Sequence, residues 1–378
     1  MAWTNYQKLL AVVMVVTGSI NTISTKWADD IKSVGRDGVL KKFDHPFFQA
    51  STMFLGELAC LLTFKILYRY YSRRSDGTED VNELTKGNRN FNPFILFIPA
   101  MCDMTATSIM YIGLNLTYAS SFQMFRGSVI VFVGLLSTGF LDRILNRRQW
   151  SGIFLVIIGL AIVGIADFIY KGTDNKSRND IITGDMLIVI AQIIQSIQMV
   201  VEEKFVAGQD IPPLQAVGWE GLFGFCVLVF LQIPFYFIRA GPPVTTNIGD
   251  RLEDPIDALV QIGHSWKLTL AVLGTIFSIA FFNFAGISVT KELSATTRMV
   301  LDSVRTIIIW VFSLAFFGQH FHWLQLLGFV LLLAGLSLYN GITGRSLIIQ
   351  IKTFINSRRY NRVEEDGIVN RNADDTES

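Results

Sequence analysis

Apolar runs of roughly twenty residues recur along the chain, divided by short polar stretches. That spacing predicts ten membrane-spanning helices, at about residues 5–27, 46–70, 93–115, 119–141, 149–169, 184–206, 215–238, 266–289, 293–317 and 322–342. The expected fold class is therefore an all-α membrane protein. The first run has no basic leader and no small-residue cleavage site, and its far half is polar, so it reads as a retained helix rather than a signal peptide. One run breaks the apolar pattern. From Glu292 to Trp310 the chain reads E-L-S-A-T-T-R-M-V-L-D-S-V-R-T-I-I-I-W. On a helix Ser294, Arg298, Asp302 and Arg305 fall within an arc of roughly 80°.

A charged stripe of this kind cannot face lipid. Each charge near a helix centre costs about 2.5–3.5 kcal/mol on insertion scales, so the three must pair or line a wet cavity. The structural alternative is that Arg298 snorkels from a helix end while Asp302 and Arg305 form an i,i+3 ion pair. It suits Arg298. It suits Arg305 poorly, because that residue lies about eleven positions into the helix, roughly 16 Å deep and near the bilayer midplane.

The chain also repeats itself. Gly152 and Gly159 in the fifth run have the same spacing as Gly328 and Gly335 in the tenth, and Trp150 and Trp323 precede them. Upstream, Y-I-G-L-N-L-T-Y-A-S-S-F-Q-M-F-R, ending at Arg126, aligns with F-A-G-I-S-V-T-K-E-L-S-A-T-T-R, ending at Arg298, once one residue is gapped. Two halves of five spans must insert in opposite senses, the inverted-repeat plan of many secondary transporters. The expected division is residues 1–170 and 171–344 for the two halves, then a disordered tail at 345–378. An excess of Lys and Arg favours both termini in the cytosol. The sequon Asn175-Lys176-Ser177, a candidate glycosylation site, agrees by falling in a lumenal loop. In that arrangement Arg126 and Arg298 stand near opposite mouths, with Arg305 between them.

Other polar positions supply candidate lining. Gln192, Gln195, Gln198 and Glu202 share an arc of about 120° on the sixth span, enough to line a cavity, with interhelical amide bonding as the alternative. Glu57 and Asp103 are natural partners for the arginines, as structural pairs or as proton-coupling groups. The polar face around Gly18, Asn21 and Thr25 on the first span reads as a helix contact, while Glu220 and Asn283 stand alone.

Composition narrows the class. Of 378 residues 51% are hydrophobic and 30 are Phe, mean hydropathy is +0.42 and net charge is +1, so there is no basic footprint for nucleic acid. Cys60, Cys102 and Cys226 sit in apolar runs without metal-ligand spacing. No G-x-S-x-G, P-loop or H-E-x-x-H motif occurs, and His320 and His322 read as a solvated turn, so neither an enzyme, a cofactor nor a metal site is expected. The tail contains Tyr360-Asn361-Arg362-Val363, the spacing of a Y-x-x-apolar sorting signal that an adaptor would bind as an extended strand. It points to the lysosome, with mitochondrial or Golgi membranes as alternatives.

The stretches Ser120–Ser128, Glu202–Phe205 and Phe281–Thr306 resemble the drug/metabolite transporter superfamily, specifically the nucleotide-sugar-transporter-like solute carrier family 35 and its F subgroup. The resemblance covers essentially all ten spans. It implies a ten-helix inverted-repeat fold, membership of a transporter family, and lysosomal or mitochondrial residence, but it supplies no substrate. The G-A-L-N-K motif of nucleotide-sugar transporters is replaced by Gly286-Ile-Ser-Val-Thr-Lys291, longer by one residue and without the Asn, though Lys291 could still meet a phosphate.

The expected activity is secondary transport of an organic anion by alternating access. Arg305, Arg298, Arg126 and Lys291 would supply positive potential, Asp302 and Asp103 counter-charge, and Gln192, Gln195 and Gln198 specificity. The expected surroundings are membrane lipid and the solute, with an adaptor on the tail and a homodimer left open. The rival expectation is a scaffold that has lost transport and acts through a protein partner.

Overall fold

The computed structural model describes residues 4–73, 86–117, 119–142, 144–169, 178–241, 247–316 and 323–339. Asn175, His320, His322 and the 345–378 tail with Tyr360 and Val363 lie outside the described residues. The helices are α1 (Asn5–Asp30), α2 (Pro46–Arg73), α3 (Phe97–Leu116), α4 (Ala119–Phe125), α5 (Val129–Phe140), α6 (Arg147–Ile169), α7 (Arg178–Glu202), α8 (Pro213–Phe237), α9 (Pro255–His264), α10 (Trp266–Glu292), α11 (Ala295–Phe316) and α12 (Trp323–Tyr339).

Among the described residues eight segments are long and apolar enough to cross a bilayer: α1, α2, Pro93–Leu114, Ser121–Phe140, α6, Arg178–Ala207, α8 and α10. Large apolar side chains stand fully outward on them, such as Ile66, Phe230 and Phe277. A water-facing surface of that kind would drive association, whereas hydrocarbon accepts it. The chain is a mostly helical, multi-pass membrane protein.

Local sequence accounts for where helices begin and break. Thr4 and Gln7 form a capping box at the start of α1. Asp254 caps α9, with Pro255 in its first turn, and Ser265 caps α10. The fourth predicted span is not one continuous α-helix. At Arg126–Ser128 the chain tightens into a 3₁₀ turn between α4 and α5, where Gly127 and Ser128 are weaker helix formers. A π-helical turn at Glu203–Ala207 ends α7. The pattern also gives no sign of the short hairpin β1 (Lys32–Val34) and β2 (Leu40–Lys42), paired antiparallel with Ser33 opposite Lys41, because three-residue strands are below what alternation can reveal.

The main helix pairs are α1 with α10, α3 with α7, α2 with α8 and α6 with α12, while α11 packs on both α4 and α5. In the α6–α12 pair, glycines allow backbone contact. A Cβ on Gly152 would lie 2.8 Å from the Gly335 carbonyl oxygen, and one on Gly159 2.7 Å from that of Gly328. The repeated glycines thus meet each other across an antiparallel crossing. Beside it Ile130, Val133, Val156, Leu332 and Leu336 form an apolar core.

Outside the spans a polar clip ties the α1–α2 connection to the segment before α10. The Glu253 carboxylate accepts from the Phe47 and Phe48 backbone N–H groups at 2.9 and 3.0 Å, holding the first turn of α2. His45 lies between Glu253 (Nδ1 to Oε1, 2.7 Å) and Asp257 (Nε2 to Oδ2, 3.3 Å). Asp257 also takes the Arg36 N–H at 2.6 Å and the Lys41 ammonium at 2.9 Å. Burial alone would lower the His45 pKa, but hydrogen bonds from the imidazolium to Asp257 and Glu253, and the charges of both carboxylates, outweigh it and raise the value from 6.5 to about 9. Burial likewise opposes ionisation of Asp257, yet hydrogen bonds from His45, Arg36, Lys41 and Gln261 hold it well below the usual carboxylate range.

Candidate functional site

The charged stripe of α11 faces inward. Arg298, Asp302 and Arg305 are 4%, 8% and 2% exposed, and all three line a central cavity of about 110 Å³. At roughly 10–15 Å³ per water by this kind of measure, the space holds several waters or a small solute. Its wall comes from α1, α2, α3, α4 and α5 with their connecting turn, α7, α10 and α11.

Asp302 is shared. Its Oδ1 lies 2.7 Å from Arg305 Nη2, and its Oδ2 lies 3.8 Å from Arg126 Nη2. Two guanidinium groups therefore meet one carboxylate, and this small assembly keeps one positive charge. Arg126 reaches it because the 3₁₀ turn aims its side chain across the cavity. Arg305 is held further by the Phe282 ring, 4.7 Å from its guanidinium carbon, and by the Gly18 carbonyl oxygen at 3.4 Å from Nη1. A Cβ on Gly18 would fall 2.5 Å from Arg305 Cδ, so the small-residue face of α1 makes the space that this arginine fills. Contact with Asp302 is close, but its angle is poor. Among the described residues Arg305 Nε and Nη2 and Asp302 Oδ1 have no hydrogen-bond partner.

Arg298 turns the other way, to Glu202, which also accepts from Gln198 at 2.6 Å. Glu57 and Asp103, the expected partners of the arginines, make other bonds here: Glu57 accepts from Asn283 and Asp103 from Thr107. Asp103 lines the cavity, as do Gln192 and Gln195. Gln198 stands behind them, accepting from Gln195 and donating to Glu202. Lys291 lies off the cavity wall, 2.7 Å from the exposed Asp210 carboxylate in the last turn of α10.

Several lining residues escaped the sequence reading, among them Lys26, Tyr111, Phe122 and Phe282. Lys26 continues the polar face Gly18, Asn21, Thr22 and Thr25, so extending that face by one turn would have found it. The aromatic residues carry no such signal, because an apolar ring on a membrane helix looks the same facing lipid or cavity.

The family model "Solute carrier family 35" matches residues 33–239, and the "EamA-like transporter family" model matches residues 182–341. The chain is 53% identical over 343 residues to Solute carrier family 35 member F6 of Homo sapiens, covering 90% of this chain and 91% of that protein. Its Mus musculus counterpart is 52% identical over 343 residues, covering 90% of each chain. A solved crystal structure at 13% identity shares the fold, with a TM-score of 0.54 over 90% of this chain and 97% of its own. With a family match across more than half its length and relatives alike from end to end, this chain of apolar helices around a buried arginine cavity belongs to solute carrier family 35, a family of membrane transporters.

Proposed function

We propose that the protein is a secondary transporter that moves an organic anion by alternating access, with Arg305 as the main anion contact and Arg126 beside it. One observation carries this reading: Arg305 and Arg126 share the single carboxylate of Asp302 on the wall of a cavity between the helices. The incompletely bonded Arg305 guanidinium offers donors to a second carboxylate or a phosphate, and its planar fork suits either. Gln192 and Gln195 on the same wall would add hydrogen bonds that select among anions, with the Asp103 carboxyl as a counter-charge to the arginines. Arg298, held by Glu202 in this structure, would be a secondary contact to the anion beside Arg305.

The alternating-access part rests on an inverted repeat of two five-helix halves, with α11 and α12 completing ten crossings. The packing supports it. Exchanging α1 with α7, α2 with α8, α3 with α10, α4–α5 with α11 and α6 with α12 turns the α1–α10 pair into the α7–α3 pair and leaves the other main pairs unchanged. The hairpin and clip then face the lumen. A clip whose histidine stays charged in acid suits an acidic compartment such as the lysosome.

The test is uptake by proteoliposomes holding the purified full chain, against a panel of labelled organic acids, nucleotides and nucleotide sugars. Saturable uptake that is stimulated by the same anion on the far side supports the proposal. A tightly cofractionating protein without uptake of any panel member would favour the scaffold.

A further inference from the structure

Next to the anion cavity lies a second group of charges that the transport reading does not use. Glu57 on α2, Glu202 on α7 and Glu220 on α8 are 2%, 0% and 3% exposed, and Asp103 on α3 joins them from the cavity wall. Two of the helices that carry them, α2 and α8, meet in close backbone contact. A Cβ on Gly221, next to Glu220, would lie 2.6 Å from the Glu57 Cβ. Glu57 feels the charges of Asp103 and Glu202, and Glu220 feels those of all three others.

Compensation is incomplete. Arg298 of α11 is the cation that acts on the cluster, and it is ion-paired to Glu202. From α10 comes the neutral Asn283, bonded to Glu57. Titratable neighbours include the Cys60 thiol beside Glu57 and, beside Asp103, the Cys102 thiol and the Tyr111 hydroxyl, with Glu203 turned to the Ala295 N–H at the start of α11. Of the four carboxyls, Glu202 contacts the Arg298 guanidinium directly. Among the described residues Glu220 Oε1 has no hydrogen-bond partner although it is buried, and Arg298 Nε has none either. Each uncompensated charge at such a depth costs about 2.5–3.5 kcal/mol on insertion scales, and more if truly isolated. A bare carboxylate here is unfavourable. Protonation of one of these carboxyls removes its charge without a further ligand.

We propose that Glu57, Asp103, Glu202 and Glu220 form a proton-binding site, and that Arg298 links its loading to the anion cavity. A proton arriving through the cavity first meets Asp103. When the cluster is loaded, its hold on Arg298 weakens, and the guanidinium, already on the cavity wall, becomes available to the anion. When protons leave, the carboxylates reclaim Arg298 and the anion loses a contact. Anion and proton would then move together in the same direction. The coupling rests on the transport reading above, whereas the proton site itself does not.

Two measurements on the full chain separate the two. Infrared difference titration of the purified protein should show a carboxylic-acid C=O band persisting above the ordinary carboxylate range, diminished in Glu220→Gln and in Glu57→Gln. Absence of that band, or its presence undiminished in both variants, overturns the proton site whether or not transport is found. In proteoliposomes, an inwardly directed proton gradient should raise anion uptake at least tenfold, while an equal sodium gradient does nothing. Glu220→Gln and Glu57→Gln should each keep anion exchange but lose the gradient response. Saturable exchange that ignores the proton gradient in the unmodified protein, or follows sodium instead, overturns the coupling. Failure of all exchange would sink the anion reading, and the infrared band would still decide the proton site.

Discussion

The molecule holds two buried clusters of charge, and they are built to different standards. In the extramembrane clip each carboxylate is met by donors: Glu253 by His45 and two backbone N–H groups, Asp254 by Arg251 and the Asp257 N–H, and Asp257 by His45, Arg36, Lys41 and Gln261. In the cavity, Arg305 and Asp302 touch at a poor angle and leave polar atoms without hydrogen bonds among the described residues. A satisfied cluster stabilises and specifies a fold, whereas a half-satisfied one is costly unless something else completes it. Lys41 Nζ and Gln261 Oε1 of the clip also lack hydrogen bonds among the described residues, but every carboxylate oxygen there is met, whereas in the cavity Asp302 Oδ1 is not.

The comparison breaks if the clip proves dispensable. His45→Ala leaves Glu253 and Asp257 buried without the cation between them, and should cost about 3–5 kcal/mol, read as a lower Tm in detergent. A loss under about 1 kcal/mol would mean that water enters and the clip is not a closed network.

The pH dependence is the next largest effect. A histidine whose pKa is raised on folding contributes stability fully present below pH 6.5 and lost as pH rises through about 9. At 1.36 kcal/mol per pH unit the two endpoints correspond to about 3 kcal/mol. Asp257, with its pKa depressed, works in the other sense: its contribution is present above the ordinary carboxylate value and is lost as pH falls through the depressed one. Thermal unfolding followed from pH 5 to 9.5 should decline above pH 6.5, and His45→Gln should flatten that decline.

Backbone packing offers a contrast without charge. Gly152→Ala puts a methyl group 2.7 Å from the Tyr339 backbone nitrogen and should cost about 1–3 kcal/mol, with the pH profile of stability kept. Lys291→Ala should have the smallest effect, within about 1 kcal/mol of the parent, because its partner Asp210 is largely exposed to solvent. A larger loss at Lys291 would show that this pair closes something more than a helix end.

Much of this was legible in the sequence for reasons of physics. Hydrocarbon thickness fixes the length of an apolar run, so the positions of α1, α2, α6, α8 and α10 follow from composition alone. The cost of charge in lipid marked Arg298, Asp302 and Arg305 as inward-facing before any contact was known. What could not be read was the pairing. Whether Arg298 meets Glu202, Glu57 or Asp103 depends on how helices rotate about their axes, which glycine contacts such as Gly18–Arg305 decide. The 3₁₀ turn that aims Arg126 at Asp302 was likewise hidden inside an apparently continuous apolar run. The clip was the least visible, because its members lie in short polar connections far apart in the chain, joined only once the connection between α1 and α2 meets the start of α9.

The account turns on Arg305 as the anion's contact, and the most direct measurement is saturable anion uptake by proteoliposomes carrying the unmodified chain, Arg305→Ala or Arg305→Lys, each first shown to be folded by its melting transition. The account predicts that Arg305→Ala loses more than tenfold in apparent affinity, beyond about 1.4 kcal/mol, and that Arg305→Lys recovers only part of it, since an ammonium restores charge without the planar fork. Uptake by a folded Arg305→Ala protein at the parent's affinity and rate would contradict it, and would make the stripe on α11 a structural ion pair.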